Sequence, residues 1–170
     1  MTDLDDEQRA LIPHSLRELT LHCIYKGIQL GSTATFLTAL PYQLYKSRKN
    51  PSFGPVLSRA GTASIYGAAV GVALSVGLMH AKLSKEQYNE YKIWDRAYRL
   101  RHSQNQNRVD KFTFSTSMVG GLAGLIIGLP TKMSPFSAVK GALMGIPFGL
   151  LAHVLIKPLQ APPSVDVTDK

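Results

Sequence analysis

The sequence predicts an all-α membrane protein, with four glycine-rich transmembrane helices and an interfacial amphipathic helix between spans two and three. The first observation behind this prediction is the segregation of charge, which concentrates in residues 1–18, 46–59 and 82–111. A soluble amphipathic helix would carry charged residues along its solvent-facing side. The second observation is that small residues, mostly glycines, recur four positions apart in each uncharged run. Together the two patterns indicate helices that cross a bilayer.

The first span is predicted over residues 19–41. Ser15 and Glu18 form an S-x-x-E capping box, which favours a helix start, and Pro41 is expected to end the helix. From Ser15 to Leu40 this helix has roughly 25 residues, about 37 Å at 1.5 Å per residue, which suffices for a hydrocarbon core of about 30 Å. Lys26 and Gln29 lie inside this span. Lys26 is expected to extend to the interface, and a role in a transport path is the alternative.

Three further spans are predicted over residues 60–81, 112–130 and 135–156. The second and third contain no charged residue, and Pro130 closes the third. The short link after it makes spans three and four an antiparallel hairpin. Pro147 should kink the fourth span, which membrane helices tolerate because neighbouring groups satisfy the freed carbonyl.

An aromatic stripe marks the predicted loop helix over residues 84–102. Its members recur at spacings of three, three and four, and cations accompany them. An aromatic face flanked by cations is typical of a helix in the headgroup region, and a docking surface for a partner protein is the alternative. A flexible link is expected over residues 103–107. The predicted interface residues are Tyr88, Tyr91, Trp94, Tyr98, Arg96 and Arg99.

The ends of the chain are predicted to be tails around a membrane domain over residues 15–157. Residues 1–14 form an acidic N-terminal tail, and residues 158–170 lack the apolar content to order themselves. The start is neither basic and apolar, as in a secretory signal, nor rich in arginine, as in a matrix presequence. Any organelle targeting would therefore use internal information. Four spans place both termini on one side, but the Lys and Arg counts leave the orientation open.

The net charge of +8 predicts contact with anionic lipid, because basic residues are attracted to a negative membrane surface. Nucleic acid is not expected as a partner, since the basic residues border apolar runs and no nucleic-acid-binding motif is present. Cys23 is the single cysteine, which excludes an internal disulfide.

The small-residue ladders are the most specific feature of the sequence. Residues four apart share one face of a helix, and close backbone approach drives helix association in lipid. Packing within the chain is the first interpretation, and docking of another membrane subunit on an outward ladder is the second. The ladder glycines are Gly27, Gly31, Gly67, Gly71, Gly120, Gly124, Gly128, Gly141, Gly145 and Gly149.

Catalytic chemistry is not predicted. His22, His80 and His153 would lie at similar depth near one membrane face, where three histidines could bind a metal. However, no Asp or Glu lies inside any predicted span to act as an acid, base or supporting ligand. We therefore expect no enzymatic activity, no cofactor and no metal, and the roles of these histidines stay open.

The arrangement of four laddered spans, a basic first loop, a longer charged loop and a final hairpin resembles the Tim-type superfamily of mitochondrial inner-membrane proteins. Arg108, Gly120 and Gly124 match the spacing of that family's motif. Phe112 occupies the position of its aspartate, and Asp110 lies two residues earlier. The resemblance implies a multi-pass protein of the mitochondrial inner membrane with its termini in the intermembrane space.

The same resemblance implies two functions. The first is a non-catalytic subunit or assembly factor of a respiratory complex of the NADH:ubiquinone oxidoreductase type. The alternative is a component of an inner-membrane protein or solute translocase, which would need a polar groove, and only Lys26, Gln29 and Thr35 are candidates to line one.

Overall fold

The computed structural model of the chain describes residues 5–49, 52–128 and 134–156. Within these ranges every regular element is a helix, which confirms the all-α class. The six helices are α1 (Asp6–Leu11), α2 (Ser15–Lys46), α3 (Phe53–Lys85), α4 (Glu90–His102), α5 (Gln104–Gly128) and α6 (Ser134–Ile156).

Two antiparallel helical hairpins form the body of the fold. Helices α2 and α3 make the first hairpin, and α5 and α6 make the second. Helix α6 lies against both α2 and α3, and α4 packs across α2. The C-terminal ends of α2 and α5 and the N-terminal ends of α3 and α6 lie together at one end of the bundle, which we call the short-loop end. Helix α4 lies at the opposite end.

Helix α2 differs from its prediction at both ends. Its N-cap is His14, with no side-chain cap hydrogen bond, so the predicted capping box is wrong. Glu18 instead binds Arg101, a distant partner that local sequence does not reveal. Pro41 does not end the helix, which continues to Lys46. A proline removes one backbone hydrogen bond, and here the helix continues past it.

The predicted loop helix begins later than expected. Helix α3 continues to Lys85, and a tight turn follows in which Gln87 and Tyr88 adopt the left-handed backbone region, at φ 54° and 49°. The side chain of Asn89 then caps α4 by accepting a hydrogen bond from the amide of Lys92 at 3.2 Å. Tyr88 therefore lies on the turn and not on the helical stripe.

The predicted flexible link over residues 103–107 is also wrong, because α5 begins at Gln104. Only Ser103 separates it from α4, and Asn107 donates a side-chain hydrogen bond to the Arg101 carbonyl at 3.0 Å. Helix α6 contains Pro147 without interruption. The predictions for Pro130 and for the C-terminal tail fall outside the described residues, as do the first four residues of the N-terminal tail.

The side chains are distributed inside out relative to a soluble bundle. Ser32 and Ser64 are fully buried, while Leu30, Leu78 and Ile127 are 70–71% exposed. By length and apolar composition, two helices could cross a membrane, namely α3 and residues 135–156 of α6. The other two predicted spans, in α2 and α5, do not meet that criterion.

Candidate functional site

The glycine ladders of the first hairpin face each other. Gly27 lies against Gly71, and Gly31 lies against Gly67. A methyl group placed on Gly27 would lie 2.6 Å from the carbonyl oxygen of Gly71, closer than real contacts allow. Thr35 also packs on Gly67 and donates its hydroxyl to the Gly31 carbonyl at 2.8 Å. The ladder thus brings two backbones into direct contact.

The second hairpin repeats this arrangement. Gly120 lies against Gly141, and a methyl group on Gly149 would lie 2.6 Å from the α-carbon of Thr113. Nine of the ten ladder glycines therefore pack closely within a hairpin. Gly128 is the last residue of α5, and its contacts lie outside the described part of the chain. The nine are Gly27, Gly31, Gly67, Gly71, Gly120, Gly124, Gly141, Gly145 and Gly149.

A polar cluster connects the two hairpins. The ammonium group of Lys26 lies 2.5 Å from Oδ1 of Asp110, and Nε2 of Gln29 donates to the same oxygen at 3.0 Å. Gln29 also donates to Thr113 at 2.7 Å and accepts from Lys26 at 3.2 Å. The Tyr25 hydroxyl lies 3.1 Å from the Thr113 hydroxyl. The cluster thus joins three residues of α2 to two of α5.

This cluster corrects the expected snorkelling of Lys26, because Lys26 binds a carboxylate inside the chain. Gln29 and Thr113 are buried, and their hydrogen-bonding groups are used within the network. A satisfied network of this kind rigidifies a structure. Asp110 was not predicted as a site residue because it precedes the predicted third span. The signal that could have identified it is its place two residues before the aspartate position of the Tim-type motif.

Helix α4 docks on the ends of the first hairpin. Ile93 forms a buried cluster with Leu19 and Leu83. Trp94 is only 9% exposed and packs with Ile12 and Ala97. The assignment of Trp94 to a lipid or partner surface is therefore wrong, because its ring is covered by the chain itself.

The other predicted interface aromatics are more accessible. Tyr91 and Tyr98 are each 38% exposed and stack on the two sides of Trp94. The Tyr88 hydroxyl lies 3.2 Å from Nδ1 of His80. The exposed rings are thus those that flank the buried tryptophan, and the stripe faces partly inward.

Two ion pairs attach α4 to the hairpin. Arg101 binds Glu18, and Arg96 binds Glu86 at 2.6 Å. The hydrogen bond from Arg101 lowers the pKa of Glu18, and that from Arg96 lowers the pKa of Glu86. Arg99 pairs with Asp95 at 2.8 Å within α4. Arg96 and Arg99, both predicted to meet lipid or a partner, thus already bind carboxylates of the chain.

An apolar groove of about 800 Å³ opens between the two hairpins toward the short-loop end. Its walls come from α2, α3, α5 and α6, and none of Lys26, Gln29 and Thr35 lines it. This groove is therefore not the polar path for which these three residues were the candidates. The walls include the apolar side chains of Phe36, Phe53, Val119, Ile127, Met144 and Phe148.

One cation lies in the wall of this groove. Lys140 donates to the Ser58 hydroxyl at 3.2 Å, and its ammonium group lies 4.6 Å from the centre of the Phe136 ring. Its side-chain stem packs at the crossing of α3 and α6, where a methyl group on Gly61 would lie 3.0 Å from the Lys140 β-carbon. Lys140 is thus fixed at the groove without a carboxylate partner in the described residues.

The remaining sequence candidates are dispersed. His153 is buried beside Phe112, with ring centres 6.0 Å apart, and its Nδ1 lacks a hydrogen-bond partner among the described residues. His80 is exposed. Across the described ranges no three His, Cys, Asp or Glu side chains converge on a shared metal position. Arg108, the resembled motif's arginine, is exposed on α5.

The structure defines an all-helical protein of two glycine-packed hairpins, joined by a polar cluster and separated by an apolar groove. The chain belongs to the family described as "Protein of unknown function (DUF1757)", whose sequence pattern matches residues 2–156. No match was found among curated proteins.

Proposed function

We propose that this chain is a non-catalytic, four-pass subunit or assembly factor of a membrane complex. The observation that carries the proposal is the inside-out distribution of side chains. Small and polar residues line the helix contacts, and large apolar residues face outward along all four long helices. Soluble monomers rarely expose large contiguous apolar patches, whereas a lipid-facing surface requires them.

Helices α2 and α5 fit this proposal despite their polar residues. Lys26 and Asp110 neutralise each other, and Gln29 is buried beside them. The outward positions of the same helices are apolar: Leu30 and Leu37 on α2 and Leu122 and Ile126 on α5 are 57–71% exposed. The mean hydropathy of a helix counts polar residues on every face, whereas Lys26, Gln29 and Asp110 point toward each other between the hairpins. We therefore assign a span to each of the four helices.

The contacts that the polar residues make favour a role as a subunit over a role in a translocase. Lys26 and Gln29 bind residues of α5, and Thr35 packs on Gly67 of α3. The groove between the hairpins is lined mainly by apolar side chains. An apolar surface suits binding of a lipid or helix better than passage of a hydrated substrate. The resemblance to the Tim-type superfamily supports the mitochondrial inner membrane and a respiratory complex of the NADH:ubiquinone oxidoreductase type.

Native-gel analysis of the tagged full chain, expressed in its own cells and solubilised in mild detergent, tests this proposal. We expect resistance to carbonate extraction and migration with the respiratory complex. Gly71→Leu should abolish this migration, and Gly77→Leu should not, because Gly77 has open space around it. Migration with a preprotein translocase would establish the alternative function. Release by carbonate would reject the membrane assignment altogether.

A further inference from the structure

The groove between the hairpins combines an apolar interior with a cation in its wall. Phe36 of α2 and Phe148 of α6 both line it, with ring centres 6.0 Å apart. Its volume of about 800 Å³ lies within the ~300–1,000 Å³ range typical of small-ligand sites. Lys140 and Ser58 supply polar groups in the same wall. The groove therefore suits an amphipathic occupant with an apolar body and a polar end.

The charged residues at the short-loop end of the bundle indicate which charge the polar end of the occupant carries. The sequence contains no Asp or Glu in residues 19–85 or 111–165. Helices α2 and α5 finish, and α3 and α6 begin, inside these two stretches. The short-loop end thus has cations without acidic residues to neutralise them, while the end bearing α4 contains ion pairs. The cations near this end include Lys46, Arg48, Lys49, Arg59 and Lys140.

The surroundings of Lys140 favour an anion from outside the chain as its partner. It lies six residues after the start of α6, about 9 Å along the helix axis at 1.5 Å per residue. Its only described polar contacts are the Ser58 hydroxyl and the Phe136 ring. Charged groups at membrane depth ordinarily pair with an opposite charge. Lys26, on the other hairpin, has such a partner in Asp110.

We propose that the groove binds one anionic phospholipid, with its acyl chains between the hairpins and its phosphate on Lys140 and Ser58. This inference rests on the proposed four-pass arrangement, because the groove opens to acyl chains only if α2, α3, α5 and α6 lie in the bilayer. A transmembrane helix of another protein is the competing occupant. It would not require a negative charge at Lys140.

Quenching of a single tryptophan by brominated lipids tests the site. In a Trp94→Phe background, Phe148→Trp reports from the groove wall. Tyr66→Trp reports from α3, where Tyr66 is 70% exposed and outside the groove. Each protein is reconstituted in phosphatidylcholine vesicles containing brominated phosphatidylglycerol or brominated phosphatidylcholine. Phe148→Trp should prefer the anionic lipid by about five-fold, the factor that one lysine contributes near an anionic headgroup. Tyr66→Trp should be quenched equally by both lipids.

Variants at Lys140 test whether its positive charge causes the preference for the anionic lipid. Lys140→Gln should reduce the five-fold preference to none, Lys140→Arg should retain it, and Lys46→Gln, outside the groove, should leave it unchanged. Circular dichroism establishes that each variant is folded. Equal quenching of Phe148→Trp by the two lipids, or a preference that survives Lys140→Gln, would overturn the lipid site. Absence of quenching at Tyr66→Trp would instead overturn the four-pass arrangement, so the two failures are distinguishable.

Discussion

The ammonium group of Lys26 lies 2.5 Å from a carboxylate oxygen of Asp110, across 84 residues of sequence and between the two hairpins. This pair is half-buried, with 30% and 25% of the two side chains exposed. Each hairpin closes on its own glycines, and the ion pair is the charged contact that joins α2 to α5. The ion pair thus adds to the contacts of α6 with α2 and α3 that place the two hairpins relative to each other.

A double-mutant cycle measures this dependence. Lys26→Met leaves the carboxylate of Asp110 without its cation, and Asp110→Asn leaves Lys26 unpaired, so each single variant should lower the free energy of unfolding. The double variant should lose less free energy of unfolding than the two single variants together, with a coupling energy of roughly 0.5–3 kcal/mol. Reversible unfolding in mixed detergent micelles provides the measurement. Lys46→Met combined with Asp110→Asn is the matched control and should be additive. Additivity of the first pair would show that the ion pair contributes nothing to stability.

The backbone contact between Gly27 and Gly71 makes a second prediction. Gly71→Leu cannot fit, because its β-carbon would overlap the Gly27 carbonyl, and we expect a loss of roughly 1–3 kcal/mol or failure of the hairpin to close. Gly77→Leu, on the same helix with nothing near its β-carbon, should change the free energy of unfolding by less than about 0.5 kcal/mol. Thermal unfolding followed by circular dichroism compares the two. Equal effects would contradict the packing of α2 on α3.

The docking of α4 should depend on pH. Glu18 and Glu86 both have a pKa below the ordinary value of about 4.3. A carboxylate with a lowered folded-state pKa stabilises the fold above its ordinary pKa, and this contribution is lost as the pH falls through the lowered value. We therefore expect α4 to detach as the pH falls below the ordinary pKa of glutamate. The emission of Trp94, the single tryptophan, should then shift to longer wavelength as its ring meets water.

Variants separate these two carboxylates from other acidic groups. Glu18→Gln combined with Glu86→Gln should remove the transition and leave α4 weakly docked at every pH. Asp95→Asn is the control, because Asp95 pairs with Arg99 inside α4 and not with another helix, so this variant should retain the transition. A transition unchanged in the double variant would assign the pH dependence to other groups.

The sequence predicted the helical class and the approximate position of each long helix, because charge segregation and four-residue spacing are local patterns. Nine of the ten ladder glycines lie in helix contacts, as does Gly61, which the ladders did not include. The prediction from sequence failed where distant partners decide the outcome. Glu18 forms no capping box because Arg101 binds it, and Trp94 is buried because Ile12 and Ala97 cover it. Asp110 was overlooked because its partner Lys26 lies in another helix, and no spacing rule connects the two.

The central claim is that all four long helices cross the membrane, and cysteine accessibility tests it most directly. In a Cys23→Ser background, one exposed thiol is placed at a time before α2, before α3, at the start of α5 or at the start of α6. The four variants are His14→Cys, Ser52→Cys, Gln104→Cys and Pro135→Cys. A membrane-impermeant maleimide is applied to sealed vesicles and again after they are opened. We predict that His14→Cys and Gln104→Cys label from one side, and that Ser52→Cys and Pro135→Cys label only from the other. If His14→Cys and Ser52→Cys label from one side while Gln104→Cys and Pro135→Cys both label from the other, α2 and α5 do not cross the membrane and the account is contradicted.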